Sequence, residues 1–280
     1  MERLPALADD GLLTPPVGEW AEEKYQLVRC YADIFATAMK NSFECRVYID
    51  LFAGAGRAKL RDSQKIVAAS PLVVLDIRNP FDRYVFCDID PENLRALQAR
   101  VGRDFSVVQP AYVPGDTNLN VDAILSHIPQ HSKSFRVLTF CFVDPFNVDN
   151  LKFDTIARLA GGGRKIDFLL LIPSGMDAQR NWQHDNNLNA AFLGNPTWRE
   201  EWEQQQRARR SFANFFVDEF AKSMRRIGFR WGGIPSTRVI KNEKNSPMYH
   251  LAFFSREEIA ARFWDECKKY TADQGSFAFR

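Results

Sequence analysis

The stretch Val47-Tyr48-Ile49-Asp50-Leu51-Phe52-Ala53-Gly54-Ala55-Gly56 decides the fold. A short run, apolar except for Asp50, leads straight into a loop with alternating glycines. An apolar run without polar alternation reads as a strand buried on both faces, as in a parallel sheet. The glycines let backbone amides approach a ligand where a Cβ would block them. The C-terminal edge of an open parallel sheet is where such ligands bind. Two phosphate-binding readings fail here. A dinucleotide-binding loop would place a third glycine at position 59, where Lys59 stands, and no Gly-x4-Gly-Lys-Ser/Thr segment occurs.

Outward from this stretch, strands and helices alternate. A helix is expected from about Glu19 to Met39, with Tyr25, Val28, Ala32, Phe35 and Met39 on one apolar face. Ser70-Pro71-Leu72 reads as an N-cap with proline at the first helical position, opening a helix to about Ile77. Tyr84 to Asp88 is a second strand, and Asp90-Pro91-Glu92 caps the helix that follows it. Phe105 to Val108 is expected as a weak third strand and Leu119 to Ile128 as a helix. Arg136 to Val143 forms a fourth strand, Phe153 to Ala160 a helix, and Ile166 to Ile172 a fifth strand ended by Pro173. Such alternation means a doubly wound sheet with helices on both faces. An amphipathic helix, Phe212 to Ile227, comes next. It is followed by an antiparallel hairpin, Thr237 to Ile240 and Met248 to Phe254, around a polar turn with Asn242, Asn245 and Pro247.

Residues 1–18 are rich in Pro, Gly and Asp and are expected to form a loose N-terminal arm. Residues 19–280 then make one domain, with a helical insertion at about 176–210 that carries Trp182, Trp198, Trp202 and basic residues. The 280 residues are 45% hydrophobic, enough for a large core. No run of eighteen apolar residues and no leader-like N-terminus occurs, so a cytoplasmic location and no membrane association are expected. The five cysteines, Cys30, Cys45, Cys87, Cys141 and Cys267, lack metal-ligand spacing and read as reduced structural thiols. His127, His131, His184 and His250 form no metal-ligating pair, and no metal is expected. Net charge is +2 and the sequence pI is near 8.2, short of the strongly basic balance of a nucleic-acid-binding domain. Clusters such as Arg207, Arg209 and Arg210 read individually as solvated faces.

Four motifs carry chemistry. Asp50-Leu51-Phe52-Ala53-Gly54-Ala55-Gly56 resembles the first motif of methyltransferases, in which the strand-end acid orients a methionine ammonium and the glycines pass beneath the cofactor. Asp88, at the end of the second strand, can take both hydroxyls of a ribose through two acceptor oxygens. Asp116, after the third strand, is placed to meet an adenine amino group, or else shapes a turn. Asp144-Pro145-Phe146 resembles the acid-Pro-Pro-aromatic motif of enzymes that methylate exocyclic amines. There the acid or a carbonyl orients the amine and the ring stacks on a flat base, which is flipped out of its duplex. A cytosine-C5 enzyme is excluded, because no Pro-Cys dipeptide supplies a nucleophile. A serine hydrolase is excluded by the lack of Gly-x-Ser-x-Gly.

Taken in order, Lys24-Tyr25, the stretch from Tyr48 to Gly56, Ser70-Pro71-Leu72, Asp144-Pro145-Phe146, a strand ending at Pro173, and Tyr249-His250-Leu251-Ala252-Phe253-Phe254-Ser255 resemble the bacterial three-Cys-motif partner family. The sequence departs from that pattern at Tyr25, Ala69 and Asn147. The resemblance implies a class I methyltransferase-like fold and a radical-SAM-like partner protein with three cysteines. The expected fold class is therefore α/β, a doubly wound Rossmann-like methyltransferase fold with a mostly parallel sheet and a C-terminal antiparallel hairpin. The expected cofactor is S-adenosylmethionine, held by Asp50, Phe52, Ala53, Gly54, Gly56, Asp88 and Asp116, with Asp144, Pro145 and Phe146 at the acceptor. The expected activity is methylation of an amine on a nucleic-acid base, with Arg207, Arg209 and Arg210 on the phosphates and the Trp-rich insertion stacking bases. The competing expectation is a non-catalytic partner or sensor subunit of a modification or defence complex.

Overall fold

The computed structural model describes residues 3–175, 178, 187–208, 211–242 and 247–273. Its strands are β1 (Pro16–Val17), β2 (Cys45–Asp50), β3 (Arg57–Leu60), β4 (Ile66–Ala68), β5 (Arg83–Asp88), β6 (Ala111–Pro114), β7 (Val137–Val143), β8 (Lys165–Ile172), β9 (Thr237–Lys241) and β10 (Pro247–Phe254). The helices are α1 (Ala21–Met39), α2 (Ser70–Leu75), α3 (Pro91–Asp104), α4 (Val121–Ser126), α5 (Phe153–Ala160), α6 (Leu188–Leu193), α7 (Trp198–Arg207), α8 (Phe212–Arg226) and α9 (Glu258–Asp273).

Among the described residues, seven strands make one sheet in the order β6-β5-β2-β7-β8-β10-β9. Pairing is parallel from β6 through β8, and β10 runs antiparallel to both β8 and β9. The chain winds outward from β2 to β5 and β6, then returns to build the other half from β7. That reversal opens a crevice above the C-terminal ends of β2, β5 and β7, the usual ligand site of such sheets. The late antiparallel hairpin beside β8 is the layout expected of a class I methyltransferase fold.

Side chains along each strand alternate between two cores. Tyr48, Phe140, Phe142, Leu169 and Phe253 pack on one face with α1 and α9, around Tyr31, Phe35 and Trp264. Val47, Ile49, Cys141, Phe168 and Phe254 pack on the other with α5 and α8, around Ile156, Phe215 and Phe220. A two-residue side-chain period makes this division automatic once both faces are covered. None of the five cysteines is in a disulfide. No helix among the described residues is long and apolar enough to cross a membrane.

Several expectations are corrected. The third strand is Ala111–Pro114, not Phe105 to Val108, because α3 continues to Asp104 and Val107 is left almost fully exposed. Ser70 does not cap α2: it lies inside the helix, and its hydroxyl bonds Asp50. The segment after Gly56, to which no element was assigned, forms β3 and β4, which join β1 in a small second sheet. Glu258–Asp273, beyond the expected hairpin, is a further helix.

The N-terminal arm is not loose. Val17 pairs with Leu60, Leu7 bridges to Ile66, and Leu4 is buried. Its Asp residues shape turns: Asp9 and Asp10 accept from the Gly11 and Leu12 amides. Arg100 then grips the arm from α3, as described below.

In the insertion, Trp198 and Trp202 are buried. Trp202 packs edge-on to Phe212 at 5.0 Å and against Phe215 at 5.2 Å. Neither ring can stack on a base, because covering the second core consumes both. Trp182, His184, Arg209, Arg210, Lys244 and Asn245 lie outside the described residues.

Candidate active site

The glycine loop is fastened from below by its neighbours. The Leu51 amide donates to the Phe142 carbonyl at 3.1 Å and the Ala53 amide to the Cys87 carbonyl at 2.8 Å. Gly54 has φ +61°, a left-handed conformation that favours glycine, and a Cβ there would meet open space. Gly56 has φ +81°, and a Cβ there would press Leu97 at 2.7 Å, so this glycine also serves packing against α3. The first glycine borders open space and the second the core, and neither they nor Ala53 line the cavity above the loop.

Above the loop lies a cavity of about 410 Å³. Phe52, Asp88, Asp116, Asp144 and Phe146 all line it. These five residues were nominated from four separate motifs, and the sheet brings them to one place. Pro145 is buried beneath the rim. The remaining charged residue of the lining is Asp149, so every charged side chain there is a carboxylate.

Asp88 ties the site together. Its Oδ2 accepts from the Gly54 amide at 2.7 Å, and its Oδ1 from the Asp90 amide at 2.9 Å and Asn93 Nδ2 at 3.1 Å. Asp90 caps α3 by accepting from the Glu92 amide at 2.9 Å, as its position predicts. Asp116 accepts from the Asn118 amide and side chain. Asn118 in turn donates to the Asn150 carbonyl at 2.9 Å, and Asn150 accepts from the Asn147 amide at 2.9 Å. This asparagine chain joins the loop after β6 to the loop after β7. The clusters Thr117-Asn118-Leu119-Asn120 and Asn147-Val148-Asp149-Asn150 were its only sequence signal.

Asp50 lies behind the cavity, fully buried. It accepts from Tyr48 Oη at 3.1 Å and the Phe52 amide at 3.3 Å. Here it braces the loop rather than facing the crevice. Burial, reinforced by the charge of Asp144, pushes its carboxyl up to about 7. The folded state therefore holds a proton that the unfolded chain has lost by about pH 4, and the Asp50 contribution to stability falls as pH rises from there to about 7. Asp50→Asn is expected to remove that penalty. From pH 5 to 8 the variant should gain on the order of 2–3 kcal/mol relative to the parent. Thermal unfolding of both proteins across that range checks this, and parallel pH curves would exclude Asp50 as the titrating group.

Sequence reasoning missed the role of Lys24 beside Asp144. Lys24 Nζ donates to Asp144 Oδ2 at 2.5 Å, across 120 residues of chain. The signal was present: Lys24 precedes Val28, Tyr31 and Phe35 on the buried stripe of α1, where a lysine is out of place.

No family model matches the chain, and no curated protein matches it. Among solved structures it is similar to a DUF519 protein from Legionella pneumophila, at 10% identity and a TM-score of 0.48, over 85% of this chain and 89% of that one. The cofactor-bound protein Rv0187 from MTB gives 10% identity and a TM-score of 0.48, over 91% and 84% of the two chains. Magnesium protoporphyrin IX methyltransferase from Synechocystis PCC 6803, with bound SAM, gives 11% identity and a TM-score of 0.42, over 83% and 80%.

Proposed function

We propose that this chain is an S-adenosylmethionine-dependent methyltransferase acting on an amine nitrogen of a flat heterocycle, a nucleic-acid base being the leading candidate. The observation that carries the reading is the convergence of Phe52, Asp88, Asp116, Asp144 and Phe146 on one cavity beside the Gly54 turn. The volume suits a small-molecule site, typically about 300–1,000 Å³. A lining whose charges are all carboxylates favours a ligand with a sulfonium and an ammonium, and opposes a polyphosphate.

Asp88 would hold the ribose hydroxyls, Asp116 the adenine edge, and the Gly54 backbone the methionine end. The cofactor would supply an electrophilic methyl: the acceptor lone pair forms the N–C bond while the C–S pair stays on sulfur. Asp144 would accept the amine N–H, aim the lone pair and receive the released proton. Phe146, 85% exposed at the rim, is the ring free to stack on the acceptor. Arg207 is exposed at the end of α7 and would meet a phosphate backbone, so nucleic-acid binding should weaken steeply with salt.

Calorimetric titration with S-adenosylhomocysteine tests the cofactor half. Micromolar binding, with no heat from ADP or NAD, supports it; no heat from S-adenosylhomocysteine sinks it. For the acceptor half, Phe146→Ala should leave that binding unchanged and stability within about 0.5 kcal/mol, because the ring is exposed. Acceptor KM should rise roughly 5- to 100-fold, the worth of one stacking contact. An unaltered acceptor KM would remove Phe146 from the site.

A second reading has one observation in its favour. Ile89, 70% exposed, lines the same cavity as Phe146, and exposed apolar residues of this kind also suit a protein partner. In that reading the fold is the non-catalytic member of a pair, with a three-Cys-motif protein docked at the rim, as the family resemblance implies. Asp144→Ala would then have no effect, while Ile89→Asp would abolish the complex.

A further inference from the structure

Three residues that the cofactor and acceptor assignments leave unused, Lys24, Tyr25 and Tyr249, meet at Asp144. Lys24 and Tyr25 come from α1, Tyr249 from β10, and Asp144 follows β7. Lys24 Nζ sits 2.5 Å from Asp144 Oδ2, 5.1 Å from the centre of the Tyr25 ring and 6.0 Å from that of Tyr249. Lys24, Tyr25 and Tyr249 are all buried, whereas Asp144 reaches the cavity. The ammonium is therefore sealed behind the acid, with aromatic faces as its other neighbours. Burial, the largest single effect, opposes its charge, but Asp144 together with Tyr249 and Tyr25 outweighs it and holds Lys24 above the ordinary lysine range.

A buried ion pair of this kind is weak evidence for stability, since desolvating both charges offsets most of their attraction. Its usual benefit is a fixed geometry. Building on the methyltransferase reading, we propose that Lys24 is a positioning residue for transfer: it commits Asp144 Oδ2 to the ammonium and so aims the carboxylate at the acceptor N–H. Lys24 itself touches neither cofactor nor acceptor. Tyr25 and Tyr249 keep water from competing for the ammonium, which preserves the carboxylate's orientation before the acceptor binds. Such pre-orientation acts on the rate of transfer and leaves cofactor affinity alone.

The test compares the parent with Lys24→Met, Lys24→Arg, Asp144→Asn and the double variant Lys24→Met/Asp144→Asn. Each is titrated with S-adenosylhomocysteine. Each is also incubated with methyl-labelled S-adenosylmethionine and a whole-cell extract resolved into nucleic-acid, protein and small-molecule fractions. All variants should bind S-adenosylhomocysteine within about threefold of the parent. Lys24→Met should lose roughly 100-fold in kcat at unchanged KM for S-adenosylmethionine, the scale of a misplaced catalytic group. Lys24→Arg should recover part of that loss. The double variant should be no slower than Asp144→Asn alone, because both changes remove one function. If the methionine variant does not fold, Lys24→Gln is read in its place.

Full activity in Lys24→Met, losses that add in the double variant, or lost S-adenosylhomocysteine binding on changing Lys24 would each overturn the inference alone. A parent protein that neither binds S-adenosylhomocysteine nor labels any fraction would overturn the methyltransferase reading, and this inference with it.

Discussion

Arg100→Met is expected to cost about 3–5 kcal/mol of stability and to free the N-terminal arm, the scale seen when one member of a buried ion pair is removed. Arg100 is fully buried on α3. Its guanidinium donates to both carboxylate oxygens of Asp10, at 2.9 and 2.7 Å, and to the carbonyls of Leu12 and Leu13. It also donates to Thr14 Oγ1 at 2.9 Å and to the Ala55 carbonyl, inside the glycine loop, at 2.6 Å. Methionine fills similar space but leaves all these acceptors without their donor, and unmade buried hydrogen bonds carry the full desolvation cost.

Arg57 and Arg103 still flank Asp10, each at 3.2 Å, so its carboxylate would not be left wholly unpaired. Hydrogen bonding to Arg100, opposed by burial, holds Asp10 well below the usual carboxylate range. A depressed acid stabilises the fold above its unfolded value, about pH 4, and loses that contribution as pH falls further. The deficit of Arg100→Met should therefore be complete at pH 7 and should narrow only in strong acid. Denaturant unfolding at pH 7 measures it, and limited proteolysis of residues 3–17 reports the arm. A deficit under 1 kcal/mol with a protected arm would show that the remaining contacts hold it without Arg100.

Asp88→Asn is expected to weaken S-adenosylhomocysteine binding by at least about 100-fold. An amide keeps one acceptor and turns the other position into a donor. Gly54 and Asp90 both present N–H groups to the existing carboxylate, at 2.7 and 2.9 Å, so one of them would face an NH₂. The glycine loop then loses its tether, and the ribose loses a charged acceptor. Hydrogen bonds to charged groups contribute about 1.5–3 kcal/mol each. Two such losses exceed 2.8 kcal/mol, roughly the equivalent of two decades in affinity. Calorimetry gives the affinity and thermal unfolding the accompanying loss of stability. Lost stability with unchanged affinity would reduce Asp88 to a loop tether.

Much of the sheet was legible from local pattern. β2, β7 and β8 are buried on both faces, and that burial wrote itself into the sequence as mostly apolar runs, broken only by Arg46, Asp50, Thr139, Lys165 and Asp167. β6 has only Val113 well buried, so its pattern was faint and the more apolar segment nearby was preferred. The three-stranded sheet of β1, β3 and β4 was invisible for a different reason. Its strands are two to four residues long, and β1 pairs with β3 across more than forty positions. The arm looked loose because Asp, Gly and Pro favour turns, and nothing local announces that Arg100 will collect those turns.

The candidate site divides along the same line. The sequence by itself determined the glycine loop, the acids at strand ends and the aromatic after Asp144-Pro145, because each is a local signal set by backbone conformation and strand termination. Only the tertiary structure decided which of them share a cavity, for that follows from strand order. It moved Asp50 behind the loop, buried Trp198 and Trp202 in the second core, and brought Lys24 to Asp144 from a helix 120 residues earlier in the chain. The physical reason is range: backbone preference acts over a few residues, whereas burial and charge pairing act between whichever residues the fold brings together.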